Sequence, residues 1–292
     1  MDLYKFGLDF LEKNAPLYKI EADDIGIITA TDSNTFLGVK TLYHSIKDKV
    51  NFICYDLGMS HEELKWCKNN NLQTVKFNVT IPLIDKWQTY LKPFIIQQSP
   101  FDYTIWIDSD CIVTGNLSLS PLIQSKETFF TRHWINSKHL KQNSKELYES
   151  YPAEWDSDLI NAGVLAINKT KDYTILEEWI KMVNRTIYDN ILRNYVVNWD
   201  EGSLLWAIRK TNNAKKIIDE QCKYNFYCEI EGATKNLQQK YKNFYDRPIG
   251  NIENCLYPTA FFKEVLKQEA YICHFATCME NKNKYWNKWN RL

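Results

Sequence analysis

The sequence predicts a single α/β domain with a mixed central sheet, and two observations lead to this prediction. Strand-like runs alternate with helix-like segments from residue 25 to residue 108, as in proteins whose parallel strands are joined by helical crossovers. No repeat, Gly/Ser-rich linker or low-complexity tract divides the 292 residues, so one continuous domain is expected.

The first half of the chain is expected to contain four strands and three helices. The strands are β-branched or aromatic runs, and the helices show apolar residues at a spacing of three to four. Ser60 and an acidic first turn favour a capped helix start, whereas Pro93 is expected to break its helical segment. The expected strands are 25–32, 50–57, 74–79 and 103–108, and the expected helices are 36–46, 60–71 and 83–98.

The second half of the chain is more mixed in its periodicity. A long helix is expected at 173–192, and a helical extension is expected towards the C-terminus. Residues 281–292 form a basic, aromatic tail. The other expected elements are strands at 127–134, 161–168 and 271–277 and a short helix at 201–210.

Composition excludes several classes of protein. The 36 basic and 36 acidic residues balance, so no large basic field for nucleic acid is expected. The eight cysteines contain no CxxC pair, and several lie in apolar runs where a reduced thiol acts as a small hydrophobe. The charged start of the chain does not resemble a signal peptide, and no apolar stretch reaches the length of a membrane span. A soluble, cytoplasmic protein is expected.

Two acidic clusters are expected at one edge of the sheet. "ATDSN" (30–34) and "DSD" (108–110) each follow a strand, and ligands of open α/β sheets bind outside the carboxyl ends of the strands. Strand alternation would turn Asp108 and Asp110 to the same side, where both could bind Mg²⁺ or Mn²⁺. The residues alone leave two interpretations open: a metal site, or solvated turn carboxylates of which one caps the next helix.

Five stretches, in order, resemble the nucleotide-sugar glycosyltransferases of family 8, which have the GT-A fold and include lipopolysaccharide galactosyltransferases and glycogenin. The resemblance covers most of residues 25 to 290. It implies transfer of a sugar from a nucleotide-sugar donor, above all a UDP-sugar, to a hydroxyl of a glycan or glycolipid acceptor, with retention of configuration. The stretches are "TATDSNTFLGVKTLYHSI" (29–46), "FDYTIWIDSDCIVTGNL" (101–117), "LINAGVLAIN" (159–168), "NWDEGSLLWAI" (198–208) and "CHFATCMENKNKYW" (273–286).

The resemblance implies a metal site and a catalytic pair. Asp108, Asp110 and His274 would hold Mn²⁺ or Mg²⁺ against the donor diphosphate. Asp200 and Glu201 match the Asp-Gln pair of the family, with Glu in place of Gln. Glu201 could then act as a nucleophile, as a base that positions the acceptor, or as a sugar contact. The acidic pair could also be only the first turn of a helix, where the macrodipole favours negative charge.

The resemblance also implies the donor contacts and a division of the chain. Residues from about 25 to 117 would bind the nucleotide, residues 118–280 would bind the donor sugar and acceptor, and the tail could rest on an anionic membrane surface. The implied donor contacts are Asp32 and Asn34 at the base, Asn161, Ala162 and Gly163 at the sugar, Lys284 or Lys282 at the diphosphate, and Lys92 as a further basic residue that touches the donor.

Two other functions stay open on the sequence. One is a binding module for sugar nucleotides or glycans that has the same fold but no turnover. The other is a phosphatase of the haloacid dehalogenase type, which also places D-x-D after an apolar strand. Against the phosphatase, Ile112 occupies a position that is normally Thr or Val, and the D-x-D lies far from the chain start.

Overall fold

The structure is a computed structural model, and it describes parts of the chain that together contain the predicted sheet. The described residues are 24–46, 51–77, 88–113, 121–132, 160–188, 199–218, 224, 226–229, 250–251 and 272–274.

A seven-stranded mixed sheet forms the centre of the fold. Its spatial order is β3-β2-β1-β4-β7-β6-β8, and the first four of these strands are parallel. The predicted α/β class and mixed sheet are confirmed. The strands of this sheet are β1 (Ile25–Thr31), β2 (Phe52–Asp56), β3 (Gln73–Lys76), β4 (Tyr103–Ile107), β6 (Phe129–Arg132), β7 (Ile160–Asn168) and β8 (Ile217–Ile218).

The strand β7 runs antiparallel to both of its neighbours, β4 and β6. Ile107, the last residue of β4, is paired with Val164. The start of β7, which carries the Asn-Ala-Gly stretch, therefore lies at the carboxyl edge of the parallel strands. This reversal of direction brings residues 161–163 next to the D-x-D stretch.

A smaller sheet lies beside the central one. Its spatial order is β10-β9-β11-β5, and β11 pairs antiparallel with β5. The strand β5 follows β4 directly, so the two sheets meet at the D-x-D stretch. The strands are β5 (Cys111–Val113), β9 (Phe226–Glu229), β10 (Gly250–Asn251) and β11 (Ile272–His274).

Helices cover both faces of the central sheet. On one face α3, α5 and α6 pack around the fully buried Trp179, and on the other face α1 and α2 pack with the small sheet. Burial of these apolar side chains is the main force that fixes the layers. The helices are α1 (Phe36–Ile46), α2 (His61–Asn69), α3 (Lys92–Gln98), α4 (Pro121–Gln124), α5 (Lys169–Tyr188) and α6 (Trp199–Lys210).

Two helix starts show what the sequence could and could not indicate. Ser60 caps α2 as predicted: its hydroxyl accepts from the N–H of Glu63, whose carboxylate accepts from the N–H of Ser60. The helical stretch divides next to Pro93 as expected, because the 3₁₀ helix Gln88–Leu91 ends there and α3 begins at Lys92. The sequence did not indicate that Pro93 itself would lie in the first turn of α3. Proline is favoured there because the first N–H groups of a helix have no partner within it.

The burial of the Lys169 ammonium at the start of α5 can be tested by the pH dependence of protein stability. This ammonium donates to the carbonyl of Ser99, and burial lowers its pKa from 10.5 to about 8. The folded protein then holds fewer protons than the unfolded chain between these values, so this lysine makes stability rise with pH in that window. Relative to Lys169→Met, we expect the wild-type free energy of unfolding to increase on the order of 3 kcal/mol from pH 8 to 10.5.

Urea unfolding of both proteins across this range measures the difference. The exposed Lys171, two residues further on, provides the control variant Lys171→Met. A difference between wild type and Lys169→Met that does not change with pH would contradict the burial of an ammonium at this position.

Among the described residues, no helix combines the length and the apolar character that a bilayer crossing requires.

Candidate active site

The D-x-D stretch forms the turn between β4 and β5. β4 ends at Ile107, and the N–H of Cys111 donates to the carbonyl of Asp108 at 3.1 Å, which closes the turn. The expectation that strand alternation aligns Asp108 and Asp110 is therefore wrong, because neither residue lies on a strand. The turn itself holds both side chains at the carboxyl edge of the sheet.

Lys92 joins this turn to the start of α6. Its Nζ lies 3.1 Å from Asp108 Oδ1 and 2.8 Å from Asp200 Oδ2, and it donates to the carbonyl of Ala162 at 2.9 Å. These three acceptors match the three N–H groups of an ammonium. With Lys92 only 4% exposed, Asp200 is part of a buried ion pair rather than a solvated helix start.

The charges of this cluster shift its pKa values. Burial alone would lower the pKa of Lys92, but Asp108 and Asp200 outweigh burial and raise it, so the ammonium stays charged. Burial raises the pKa of Asp108; Lys92 opposes this rise, and the neighbouring Asp110 adds to it. A carboxylate crowded by another carboxylate favours the approach of a further cation.

Trp106 orients the Asp108 carboxylate. Its indole Nε1 donates to Asp108 Oδ1 at 2.6 Å, on the same oxygen that faces Lys92. The Lys92 ammonium also lies over the Trp106 ring, 5.3 Å from its centroid, within the range of a cation–π interaction. Two donors thus fix one oxygen of the Asp108 carboxylate.

Asp110, Cys111 and His274 bring together a carboxylate, a thiol and an imidazole. Their ligand atoms all lie within 4.8 Å of one another, and His274 Nε2 is 3.2 Å from Asp110 Oδ1. His274 is opposite Cys111 in the antiparallel pair of β11 and β5, and residues directly opposite in such a pair share a face. An oxygen and a nitrogen ligand at this spacing fit a divalent cation such as Mn²⁺.

Asn161 connects the start of β7 to the start of α6. Its Nδ2 donates to Glu201 Oε1 at 2.7 Å, and its Oδ1 accepts from the N–H of Gly163 at 2.9 Å. Asp200 and Glu201 therefore have different partners, since Asp200 pairs with the charged Lys92 and Glu201 with a neutral amide. The Glu201 carboxylate receives less charge compensation from these partners than the Asp200 carboxylate.

Gly163 provides the space for His274. A Cβ at this position would lie 2.4 Å from His274 Cε1, 2.7 Å from Nδ1 and 2.8 Å from Asn161 Oδ1. The absence of a Cβ at Gly163 thus allows the side chains of His274 and Asn161 to lie close to its backbone.

Gly163→Ala is accordingly expected to displace the imidazole. We expect destabilisation of about 1–3 kcal/mol, as for other overpacked positions, and weaker binding of Mn²⁺. Urea unfolding and isothermal titration with Mn²⁺ measure the two effects. Gly26→Ala is the control, because its Cβ would meet the Phe101 ring at the opposite end of the sheet. If both variants bound Mn²⁺ as wild type does, the role of Gly163 in seating His274 would be refuted.

Asp32 stabilises the start of α1. Its Oδ1 accepts from the N–H groups of Asn34 and Thr35 at 3.0 and 3.1 Å, and its Oδ2 accepts from Asn34 Nδ2 at 2.9 Å. Asp32 and Asn34 lie at the carboxyl end of β1, where the exposed Asn34 faces solvent. The predicted contact of these residues with a base remains a prediction.

The structure brings most predicted site residues together, and it adds two more. Trp106 and Cys111 were not identified from the sequence. Their positions in the sequence could have indicated both residues. Trp106 lies two residues before Asp108, and Cys111 directly follows Asp110. The predicted Lys282 and Lys284, and the tail 281–292, lie outside the described residues.

The architecture is that of GT-A glycosyltransferases. The galactosyltransferase LgtC, solved in complex with donor and acceptor sugar analogues, is similar with a TM-score of 0.51 at 13% identity, over 91% of this chain and 94% of that one. Mouse xyloside xylosyltransferase 1 gives a TM-score of 0.52 at 11% identity, over 87% and 98% of the two chains. GlyE of Streptococcus pneumoniae TIGR4 gives 0.52 at 14% identity, over 93% of this chain and 61% of that one.

These similarities confirm the GT-A fold that the five sequence stretches predicted. No family model matches the chain, and no curated protein matches it. At identities of 11–14% the solved structures support the fold, and the function must be argued from the site.

Proposed function

We propose that this protein is a metal-dependent glycosyltransferase that moves a sugar from a nucleotide-sugar donor to a hydroxyl of a glycan. The observation that carries the proposal is one connected site at the carboxyl edge of the sheet. There Lys92 links the D-x-D turn to α6, and Asn161 links β7 to the same helix. Ligands of open α/β sheets bind at this edge.

The D-x-D end of the site suits a diphosphate. Asp108, Asp110 and His274 are the residues that would hold Mn²⁺ or Mg²⁺. A bound cation supplies Lewis-acid stabilisation of the negative charge that develops on a leaving nucleoside diphosphate. Trp106 and Lys92 keep Asp108 in a fixed orientation, and Gly163 leaves space for His274. Ligands that are held in place in this way need no reorganisation during the reaction.

The α6 end of the site suits the sugar and the acceptor. Asp200 and Glu201 begin the helix side by side, and their carboxylates can stabilise the positive charge that grows on the anomeric carbon as the bond to the diphosphate breaks. Glu201 is the better of the two for contact with an incoming group, because Asp200 is buried against Lys92. Retention of configuration is part of the proposal and follows from the family resemblance.

The donor is proposed to be a UDP-sugar, with the base near Asp32 and Asn34. These two residues lie at the end of β1, which is adjacent to β4 in the sheet. A nucleotide that spans the two strand ends would place its base at β1 and its diphosphate at the D-x-D turn. A glycan or glycolipid hydroxyl would then approach from the side of Glu201.

A panel of UDP-, GDP- and CMP-sugars, each with Mn²⁺, Mg²⁺ or EDTA, tests the proposal. We expect release of the nucleoside diphosphate from UDP-sugars only when a divalent cation is present. Binding of the same nucleotide, seen as a thermal shift, without release on any glycan acceptor would instead favour the binding module. If no nucleotide is bound or released with any metal, the proposed function is wrong.

A further inference from the structure

We infer that Cys111 is a ligand of the cation site, which would then combine an oxygen, a sulfur and a nitrogen ligand and favour softer cations. The inference shares its cation site with the proposed function, but it does not depend on sugar transfer. Asp110, Cys111 and His274 are the described residues whose ligand atoms gather within 4.8 Å of one another.

Strand pairing holds the thiol beside the imidazole. In the β5–β11 ladder, Cys111 is opposite His274, and Cys273 is opposite Ile112. Directly opposite residues of an antiparallel pair have Cβ atoms about 4.5–5.5 Å apart on one face. The sulfur is therefore kept near the ring by backbone hydrogen bonds of the sheet rather than by a loop.

Burial makes this cluster different from a surface group of ligands. Cys111 is fully buried, and His274 is 3% exposed. A bound cation would therefore be shielded from water by these two buried side chains. Binding would release the thiol proton to solvent, because the thiolate is the form that coordinates metals.

The chemistry of the three ligands determines which cation is preferred. Carboxylate oxygens alone suit Mg²⁺ and Mn²⁺, imidazole suits several transition metals, and thiolate favours Zn²⁺ and other softer ions. A site with Asp110, Cys111 and His274 is therefore expected to bind Co²⁺ and Zn²⁺ more tightly than Mg²⁺. Zn²⁺ should compete with Mn²⁺ for the same position.

Cobalt spectroscopy tests this assignment without any sugar donor. The wild-type protein loaded with Co²⁺ should show a sulfur-to-cobalt charge-transfer band in the near ultraviolet, and Cys111→Ser should lose it. The affinity of Cys111→Ser for Zn²⁺ should also be lower than that of the wild type. Loss of a group that only contacts a metal ligand lowers metal affinity by a factor of about 10–100, and loss of a ligand itself should cost at least as much. Cys67→Ser removes an equally buried thiol from α2 and should retain the band.

X-ray absorption at the zinc edge provides a measurement that requires no variant. Zn²⁺ bound to the wild-type protein should show a sulfur neighbour at about 2.3 Å. A shell of oxygen and nitrogen alone, or a charge-transfer band unchanged in Cys111→Ser, would overturn the inference and leave the proposed sugar transfer intact. If the sulfur neighbour is found but no donor is turned over, the proposed function fails and the thiol assignment stands.

Discussion

Lys92→Met is expected to destabilise the fold by about 3–5 kcal/mol, since removal of one partner leaves buried charges without compensation. Its ammonium lies within 3.1 Å of both Asp108 and Asp200 and is 4% exposed. Methionine has a similar length and no charge, so the loss reports the electrostatics more than the packing. Urea unfolding monitored by tryptophan fluorescence measures the change.

Two further variants distinguish the loss of buried ion pairs from the effect of replacing any lysine by methionine. Lys171 pairs with Glu127 at 3.0 Å, but both side chains are more than half exposed, so Lys171→Met should cost about 0–1 kcal/mol. Adding Asp200→Asn to Lys92→Met removes one of the two stranded carboxylates and should recover part of the stability. If Lys92→Met and Lys171→Met had equal effects, the ion pairs of Lys92 would not hold the site together.

Asp110→Asn is expected to abolish most metal-dependent nucleotide release, by a factor of about 100 or more, while the protein remains folded. The variant keeps the shape of the side chain and removes the charge that a cation needs. The side chain lies 3.2 Å from His274 Nε2, so an asparagine could still form a hydrogen bond there. Steady-state release from the donor identified in the panel measures the loss, with circular dichroism as the check on folding.

Asp102→Asn is the matched control for this prediction. Asp102 is exposed and lies just before the start of β4, whereas Asp110 follows the end of the strand. This control should leave release unchanged. An Asp110→Asn variant that turned over the donor at the wild-type rate would remove the cation from the proposed mechanism.

The sequence predicted the alternation of elements because burial patterns repeat locally, with a period of two in strands and 3.6 in helices. Periodicity does not encode the direction of a strand, so the antiparallel course of β7 could not be derived from it. Local rules were likewise reliable at the Ser60 cap, whose partners are three residues away. At Pro93 they predicted the division of the helical stretch but not that the proline would begin the second helix, because a proline can end one helix or begin another.

The site was predictable only where a residue and its neighbours along the chain carry the chemistry. Asp108 and Asp110 could be singled out because two carboxylates follow an apolar strand. The bridging position of Lys92 could not be derived, because its partners Asp108 and Asp200 are distant in sequence and converge only through the fold. Cys111 became a candidate ligand only once the register of β5 with β11 placed it opposite His274.

The D-x-D turn and His274 are proposed to hold a cation that binds a nucleoside diphosphate at the carboxyl edge of the sheet. The most direct test is a crystal structure of the protein with Mn²⁺ and UDP, with anomalous differences measured at the manganese edge. We predict one strong peak bonded to Asp108, Asp110 and His274, with the diphosphate beside it and the uracil near Asp32. A peak elsewhere, or UDP bound away from this edge with Asp110 and His274 free of metal, would contradict this proposal.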